Sequence, residues 1–256
     1  MKISIVTPSY NQGAFIAQAL DSVLAQGYPQ IEHIVLDNCS TDGTAHVLAE
    51  QTHLKVICEP DKGQSDALNK GFKMAAGDIA GWLNADDRYL PGCFERVAQF
   101  FLQHPEVDVL YGDYRLIDAQ GKVLRTKQEF PFDLFTLKYH HVLCIPSTTC
   151  FFRRRIFDQG NFLDETYHYA MDYEFFLRLA LKGYHFAHIP VVMADFRWHA
   201  DAKSSRQTGL QLQEREQALV THDPFLRSIP GAHRTLVRTA FMLFSRFKRV
   251  VIRLFL

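Results

Sequence analysis

The chain has 256 residues, 47% of them hydrophobic and 22% charged, which excludes a disordered chain and suits one large domain able to bury a real core. The formal net charge is zero but unevenly placed: residues 232–256 hold six basic residues and no acid, leaving 22 basic against 28 acidic residues elsewhere. The body is therefore not a general nucleic-acid binder, whereas the basic end seeks an anionic partner. Five cysteines without a C-x-x-C pair suggest neither a disulfide framework nor a zinc site. A reducing compartment fits best. The start, Met1-Lys-Ile-Ser-Ile-Val6, enters a strand without a signal-peptide pattern, and no apolar run is long enough to span a bilayer, so the expected location is cytoplasmic.

Residues 2–7 form a β-branched apolar run, hence a strand, broken at Pro8-Ser-Tyr-Asn11 and followed by an amphipathic helix over about 14–25. A second strand over 31–36 ends in Asp37-Asn-Cys-Ser-Thr-Asp-Gly-Thr44, where Thr41 or Asp42 caps a helix running to about Gln51. A third strand covers 54–58, and Asp61-Lys-Gly-Gln-Ser-Asp66 opens a helix to about Ala76. A fourth, Ile79 to Leu83, ends in Asn84, Asp86 and Asp87. Strand–helix alternation with short connections predicts a mostly parallel sheet with ligands at the C-terminal strand ends. All four strands end in polar clusters, which this topology brings to one rim.

The second half is less regular. It reads as a helix over 94–104, a strand over 107–111 ending at Gly112-Asp113, and a hairpin around Ala119-Gln-Gly121. Residues 130–141 are a loop or short helix bordering a pocket, and 146–152 a strand entering Arg153-Arg-Arg155. A helix over 172–182 and a last strand over 189–196 lead to Arg197-Trp-His199. No internal repeat or low-complexity segment interrupts the order.

Carboxylates at the mouth of an interior strand are costly unless their charge is compensated. For Asn84, Asp86 and Asp87 the compensator could be a hard divalent cation, which prefers oxygen ligands. The plain alternative is a polar turn with an Asp capping the next helix. Asp37 is equally readable as a turn cap and Asp172 as an N-cap; His199 is one of twelve histidines. Trp82 reads as a core aromatic and Asp113 as a turn residue, while Lys62 and Arg153–Arg155 are either solvated charge or phosphate contacts.

Taken in order, Ile5-Val-Thr-Pro-Ser-Tyr-Asn11, Asp37–Thr44, Gly63-Gln-Ser-Asp-Ala-Leu-Asn69, Gly77-Asp78, Asn84-Ala-Asp-Asp87, Met171-Asp-Tyr-Glu-Phe-Phe-Leu-Arg178 and the late His199 resemble glycosyltransferase family 2 over residues 2–205. The closest wording is that of the branch building bacterial surface polysaccharides. The resemblance implies the GT-A fold, a Rossmann-like α/β domain with a mostly parallel sheet flanked by helices and an irregular acceptor-side half. On this reading 1–113 bind nucleotide, 114–205 face the acceptor, and 206–256 form a C-terminal helical extension.

The implied activity is inverting transfer from a nucleotide-sugar, UDP-linked, to a saccharide acceptor that is lipid-linked, with Mg²⁺ or Mn²⁺. Thr7, Pro8 and Tyr10 would line the nucleoside pocket, Asp37 would hold uracil or ribose, and Asp66 would contact nucleotide. Asp86 would bind the metal with Asn84, Asp87 and His199 assisting. Asn84 stands where the family usually has Asp, and Met171 where it usually has Glu. Asp172 would be the catalytic base, with Glu174 as the alternative.

Two other functions remain in view: a non-catalytic nucleotide-sugar-binding module, motivated by those two departures, and a sugar nucleotidyltransferase, which would want a basic Gly-rich loop that Pro8–Gly13 lacks. At the C-terminus, apolar residues recur at helical spacing from Leu236 to Phe255, opposite Arg234, Arg238, Arg246, Arg249 and Arg253. A basic amphipathic helix of this kind suits an anionic membrane surface, which would make the protein peripheral on the inner face of the cell membrane; the alternative is packing on its own domain or a partner.

Overall fold

Strand β1 (Ile3–Ser9) runs through the centre of one nine-stranded sheet, buried on both faces, which is why it reads as a continuous apolar run. The computed structural model describes residues 1–139, 143, 145–199 and 208–255. β2 (Ile31–Asp37) pairs parallel with β1 from Ile3↔Ile31 to Ser9↔Asp37. β3 (Leu54–Cys58) extends that side, and β4 (Ile79–Trp82) flanks β1 on the other, both parallel. Helices α1 (Ile16–Leu24), α2 (Thr44–Ala49) and α3 (Gln64–Met74) are the crossovers. The N-cap of the second is Gly43, without a side-chain cap, and not Thr41 or Asp42; Asp42, one residue earlier, accepts from the Thr44 amide at 2.9 Å.

Beyond β4 the sheet is mixed. β8 (Phe151–Arg153) pairs antiparallel with β4 and with β6 (Val109–Ile117). β6 pairs parallel with β9 (Phe186–Arg197) and antiparallel with the hairpin strand β7 (Val123–Lys127). The two-residue strand β5 (Arg88–Tyr89) pairs antiparallel with β9. The strand expected to stop near Tyr111 continues to Ile117, with register shifts on either side of Asp113. Gly112 permits this, because a Cβ there would come within 2.8 Å of Met193 and of the Val191 carbonyl. Asp113 then accepts from the Glu129 amide and contacts His188 Nε2 at 2.8 Å, a structural role.

Two apolar cores sandwich the sheet. Ile3, Ile5, Phe94 and Phe151 pack on one face, and Val6, Phe72, Phe152 and Phe176 on the other, as alternation along β1 and β8 requires. Helix α4 (Cys93–Gln103) covers the first face. The arginine run belongs to the scaffold. Arg153 donates to the carbonyls of Phe101, His104 and Val107, ending α4; Arg154 donates to Ala75 O beyond α3; Arg155 pairs with Asp108. Arginines that terminate two helices are not phosphate contacts.

On the remaining side lie α5 (Leu134–Tyr139), α6 (Arg155–Asp158) and α7 (Met171–Leu181). Helix α8 (Thr208–His222) packs along α7, and Asp223 caps the short α9 (Pro224–Ser228). The last helix, α10 (Gly231–Phe255), lies against α5 through Phe241, whose ring meets Phe135, Tyr139 and Phe225, and through a Lys248–Asp133 ion pair. It leaves Leu236, Leu243, Phe244 and Phe247 exposed. Val250, Val251, Leu254 and Phe255 fall outside the described side chains, and the boundary expected at 205/206 falls outside the described residues. Among the described residues no helix is long and apolar enough to cross a membrane.

Candidate active site

The polar ends of β1, β2 and β4 and the β3–α3 loop converge on an open cleft of about 440 Å³. Pro8, Tyr10 and Gln12 come from the first strand end, Asn38 from the second, Asp61, Gly63 and Gln64 from the third loop, and Trp82, Asn84 and Asp86 from the fourth. The second half of the chain adds Ser147, His168, Tyr169, Met171, Asp172, Arg197, His199 and Gln211 to the lining. Loops 10–13 and 40–44 are laced together: Asn11 N donates to Ser40 Oγ, Thr41 N to Asn11 Oδ1, and Gly13 N to Asp42 Oδ2, all within 2.9 Å.

Six of the expected site residues line this cleft: Pro8, Tyr10, Asn84, Asp86, Asp172 and His199. Four lie outside its lining. Thr7 is fully buried, with Oγ1 2.9 Å from Nε2 of buried His33. Asp37 turns back to accept from Ser40 N and Oγ at 2.8 and 2.6 Å, so Asn38 faces the cleft in its place. Asp66 accepts from Lys62 N and pairs with Lys70, beside an adjoining groove of about 210 Å³.

Asp87 is the fourth. It is 1% exposed and accepts from Thr148 Oγ1 (2.6 Å), Arg197 N (2.9 Å) and Asn84 Nδ2 (3.0 Å). Burial, and after it the neighbouring Asp86 charge, push its carboxyl up to about 8 against the pull of those donors. Asn84 is equally committed: its Oδ1 accepts from Gln64 Nε2 at 2.9 Å and Trp82 Nε1 at 2.8 Å while its amide serves Asp87. An Asp at 84 could not make that last bond, which accounts physically for the amide at this position.

Asp86 and His199 remain as the pair facing the cleft, with Oδ2 and Nε2 3.0 Å apart. The His199 ring rests on Phe15 at 4.8 Å, and Arg197 lies over the same Phe15 ring at 5.0 Å. Arg197, nearly fully buried, donates from Nε to Asp86 O, from Nη1 to Asp118 O and Ala119 O, and from Nη2 to Gln18 Oε1. Among the described residues no three His, Cys, Asp or Glu side chains form a complete metal cage. The Asp86–His199 separation does fit two cis positions of an octahedral ion, because ligands about 2.1 Å from Mg²⁺ lie about 3.0 Å from each other. Such a site would leave the other positions to water and a diphosphate.

Asp172 begins α7, its Oδ1 accepting from Tyr173 N at 2.7 Å. Glu174, the alternative base, is fully buried and paired with Arg178 at 2.6 Å. Sequence reasoning missed Arg197, Phe15, Gln64 and Gln211. Arg197 stands beside the noticed His199, but its burial depends on β5 and on the hairpin carbonyls of Asp118 and Ala119, which no local pattern announces. Trp82 is both core and site, its ring buried and its indole N–H fixed on Asn84.

The family profile described as Glycosyl transferase family 2 matches residues 4–160. An uncharacterized glycosyltransferase of Rickettsia typhi is 30% identical over 229 residues, 84% of this chain and 69% of that protein. The O-antigen biosynthesis protein RfbC of Myxococcus xanthus is 31% identical over 219 residues, 81% of this chain but only 17% of RfbC. The crystal structure of S. aureus TarS 1-349 in complex with UDP-GlcNAc superposes with a TM-score of 0.66 at 18% identity, covering 96% of this chain and 79% of that one. That likeness establishes a shared mixed α/β architecture.

Proposed function

The chain belongs to glycosyltransferase family 2, and from that premise we propose that it moves a sugar from a UDP-sugar onto a saccharide acceptor, with inversion, in building a surface polysaccharide. The observation that carries the reading is the meeting, in one cleft, of the Asp86–His199 pair with Asp172 in the first turn of a helix. The UDP in the TarS complex and the O-antigen role in the name of RfbC support the donor and the pathway class.

In this mechanism Pro8, Tyr10 and Asn38 flank the nucleoside, while Asp37 and Thr7 hold the loop and strand behind them. Asp86 and His199 would hold Mg²⁺ or Mn²⁺, and the chemistry such an ion would supply is positive charge against the diphosphate. Asp172 takes the proton of the acceptor hydroxyl as that oxygen attacks the anomeric carbon from the face opposite the leaving group, so the configuration inverts. Asn84 and Asp87 act as the buttress of the Asp86 turn. Residues 168–172 and the adjoining groove by Lys62 and Glu165 receive the acceptor.

The test is release of UDP from a panel of UDP-sugars with acceptor glycans and Mn²⁺. Asp172→Asn is expected to cut turnover by about 100-fold or more while nucleotide affinity stays unchanged. An Asp172→Asn protein as active as the native one contradicts the base assignment, and UDP binding without turnover of any sugar favours the binding-module reading. The acceptor is proposed to be lipid-linked and the protein to lie at an anionic membrane surface, supported by exposed Leu236, Leu243, Phe244 and Phe247 on a helix from an acid-free, basic stretch. Vesicles of anionic lipid should sediment the native chain and not a Phe244→Ser/Phe247→Ser variant; equal sedimentation of both contradicts the membrane proposal.

A further inference from the structure

Glu214, on α8 and outside the region matched by the family profile, grips the backbone from which Asp172 projects. Its Oε1 accepts from His168 N at 3.0 Å, and its Oε2 from Tyr169 N at 2.6 Å and Ala170 N at 2.8 Å. Three successive amides aimed at one point, at the start of a helix, form an anion cradle with a positive local field. Ala170, at the N-cap of α7, offers no side-chain cap, and Glu214 satisfies its amide together with those of the two residues leading into the helix. Gln211, one turn earlier on α8, donates to Tyr169 O at 3.2 Å and lines the cleft. The same short segment is thus held by its amides and by its carbonyl, and two residues further on stands Asp172.

We propose that Glu214 is a positioning residue for the transfer reaction: its carboxylate, seated in the amide cradle of residues 168–170, sets the orientation of Asp172 and of the His168–Tyr169 wall toward the acceptor. This role rests on Asp172 being the base. The donor side of the cleft is built from β1, β2 and β4, which Glu214 does not touch. Its loss therefore acts on the chemical step and the acceptor and leaves the donor alone. Glu214→Gln keeps the length of the side chain, but its NH₂ would face a backbone amide in place of an accepting oxygen.

The experiment measures kcat, donor KM, UDP affinity and Tm for Glu214→Gln, Glu214→Ala, Asp172→Asn and the double variant Asp172→Asn/Glu214→Gln. The expected result is a fall in kcat of about tenfold for Gln and about 100-fold for Ala, with donor KM and UDP affinity unchanged. In the Asp172→Asn background Glu214→Gln should cause no further loss, because the two act through one group. Should Glu214→Ala fail to fold, the Gln variant carries the test. A fully active Glu214→Gln beside an impaired Asp172→Asn overturns the positioning role alone. So does an equal proportional loss in both backgrounds, which is the signature of a merely structural contact. A fully active Asp172→Asn overturns the base assignment and this role with it.

Discussion

His199 Nε2 and Asp86 Oδ2 stand 3.0 Å apart although 113 residues separate them in the chain. The two-residue β5 brings them together by pairing Arg88 with Asp195, which lays the end of β9 against the Asn84–Asp87 turn. Arg197 then pins that turn, its backbone amide on Asp87 Oδ1 and its guanidinium on Asp86 O.

Arg197→Met should therefore loosen the turn as well as weaken the fold. The substitution keeps much of the apolar stem but removes the donors to four part-exposed acceptors, at a cost of about 1–2 kcal/mol. Urea unfolding measures this. A variant as stable as the native chain would mean that those carbonyls find water and that Arg197 is not the pin.

Asn84→Asp restores the carboxylate usual in the family and is expected to be harmful here. Its new oxygen would face Asp87 Oδ2, now 3.0 Å from the Asn84 amide. Asp87 already holds a proton up to about pH 8, and a carboxylate so close would hold it higher still, so the variant keeps at pH 9 a proton that the native chain gives up. The folded state then binds more protons than the unfolded one, and stability falls as pH rises. Tm measured at pH 5 and pH 9 should show a small loss relative to the native chain at the lower value and a clear loss at the higher. An equal loss at both pH values would contradict the pairing described.

Much of this was legible in the sequence. The β-branched runs at 3–7 and 31–36 are buried on both faces, so they carry a strong strand signal, and the polar clusters after each of the first four strands reach one rim as parallel topology dictates. Side-chain direction within a cluster was not legible. Asp86 and Asp87 are adjacent and chemically alike, yet one faces the cleft and the other the core, a choice made by Thr148 and Arg197 from far along the chain. Arg153–Arg155 stayed open between solvated charge and phosphate contacts, because sequence shows charge and not the carbonyl oxygens that α3 and α4 leave at their ends. The contribution of α8 was hidden too, since nothing within residues 208–222 reveals what Glu214 touches.

His33 gives the fold an acid-sensitive point. Burial, and then the His53 charge, lower its pKa from 6.5 to about 3, so the folded chain keeps it neutral where the unfolded chain protonates it. Between those values the unfolded state binds more protons, so this contribution is fully present above about pH 6.5 and is lost progressively as pH falls toward 3. Its full size is on the order of a few kcal/mol. His33→Gln cannot take up that proton, so the loss of Tm between pH 7 and pH 5 should be smaller in the variant. Parallel acid limbs for the two proteins would show that another group sets the acid stability.

The most direct measurement is calorimetric titration of UDP into the native chain, Asp86→Ala and His199→Ala, each with and without Mn²⁺. The account predicts that Mn²⁺ tightens UDP binding to the native protein by about tenfold or more, and that either substitution abolishes this gain while leaving the metal-free affinity in place. UDP affinity indifferent to Mn²⁺, or a gain surviving in both variants, would contradict the assignment of the Asp86–His199 pair to the metal.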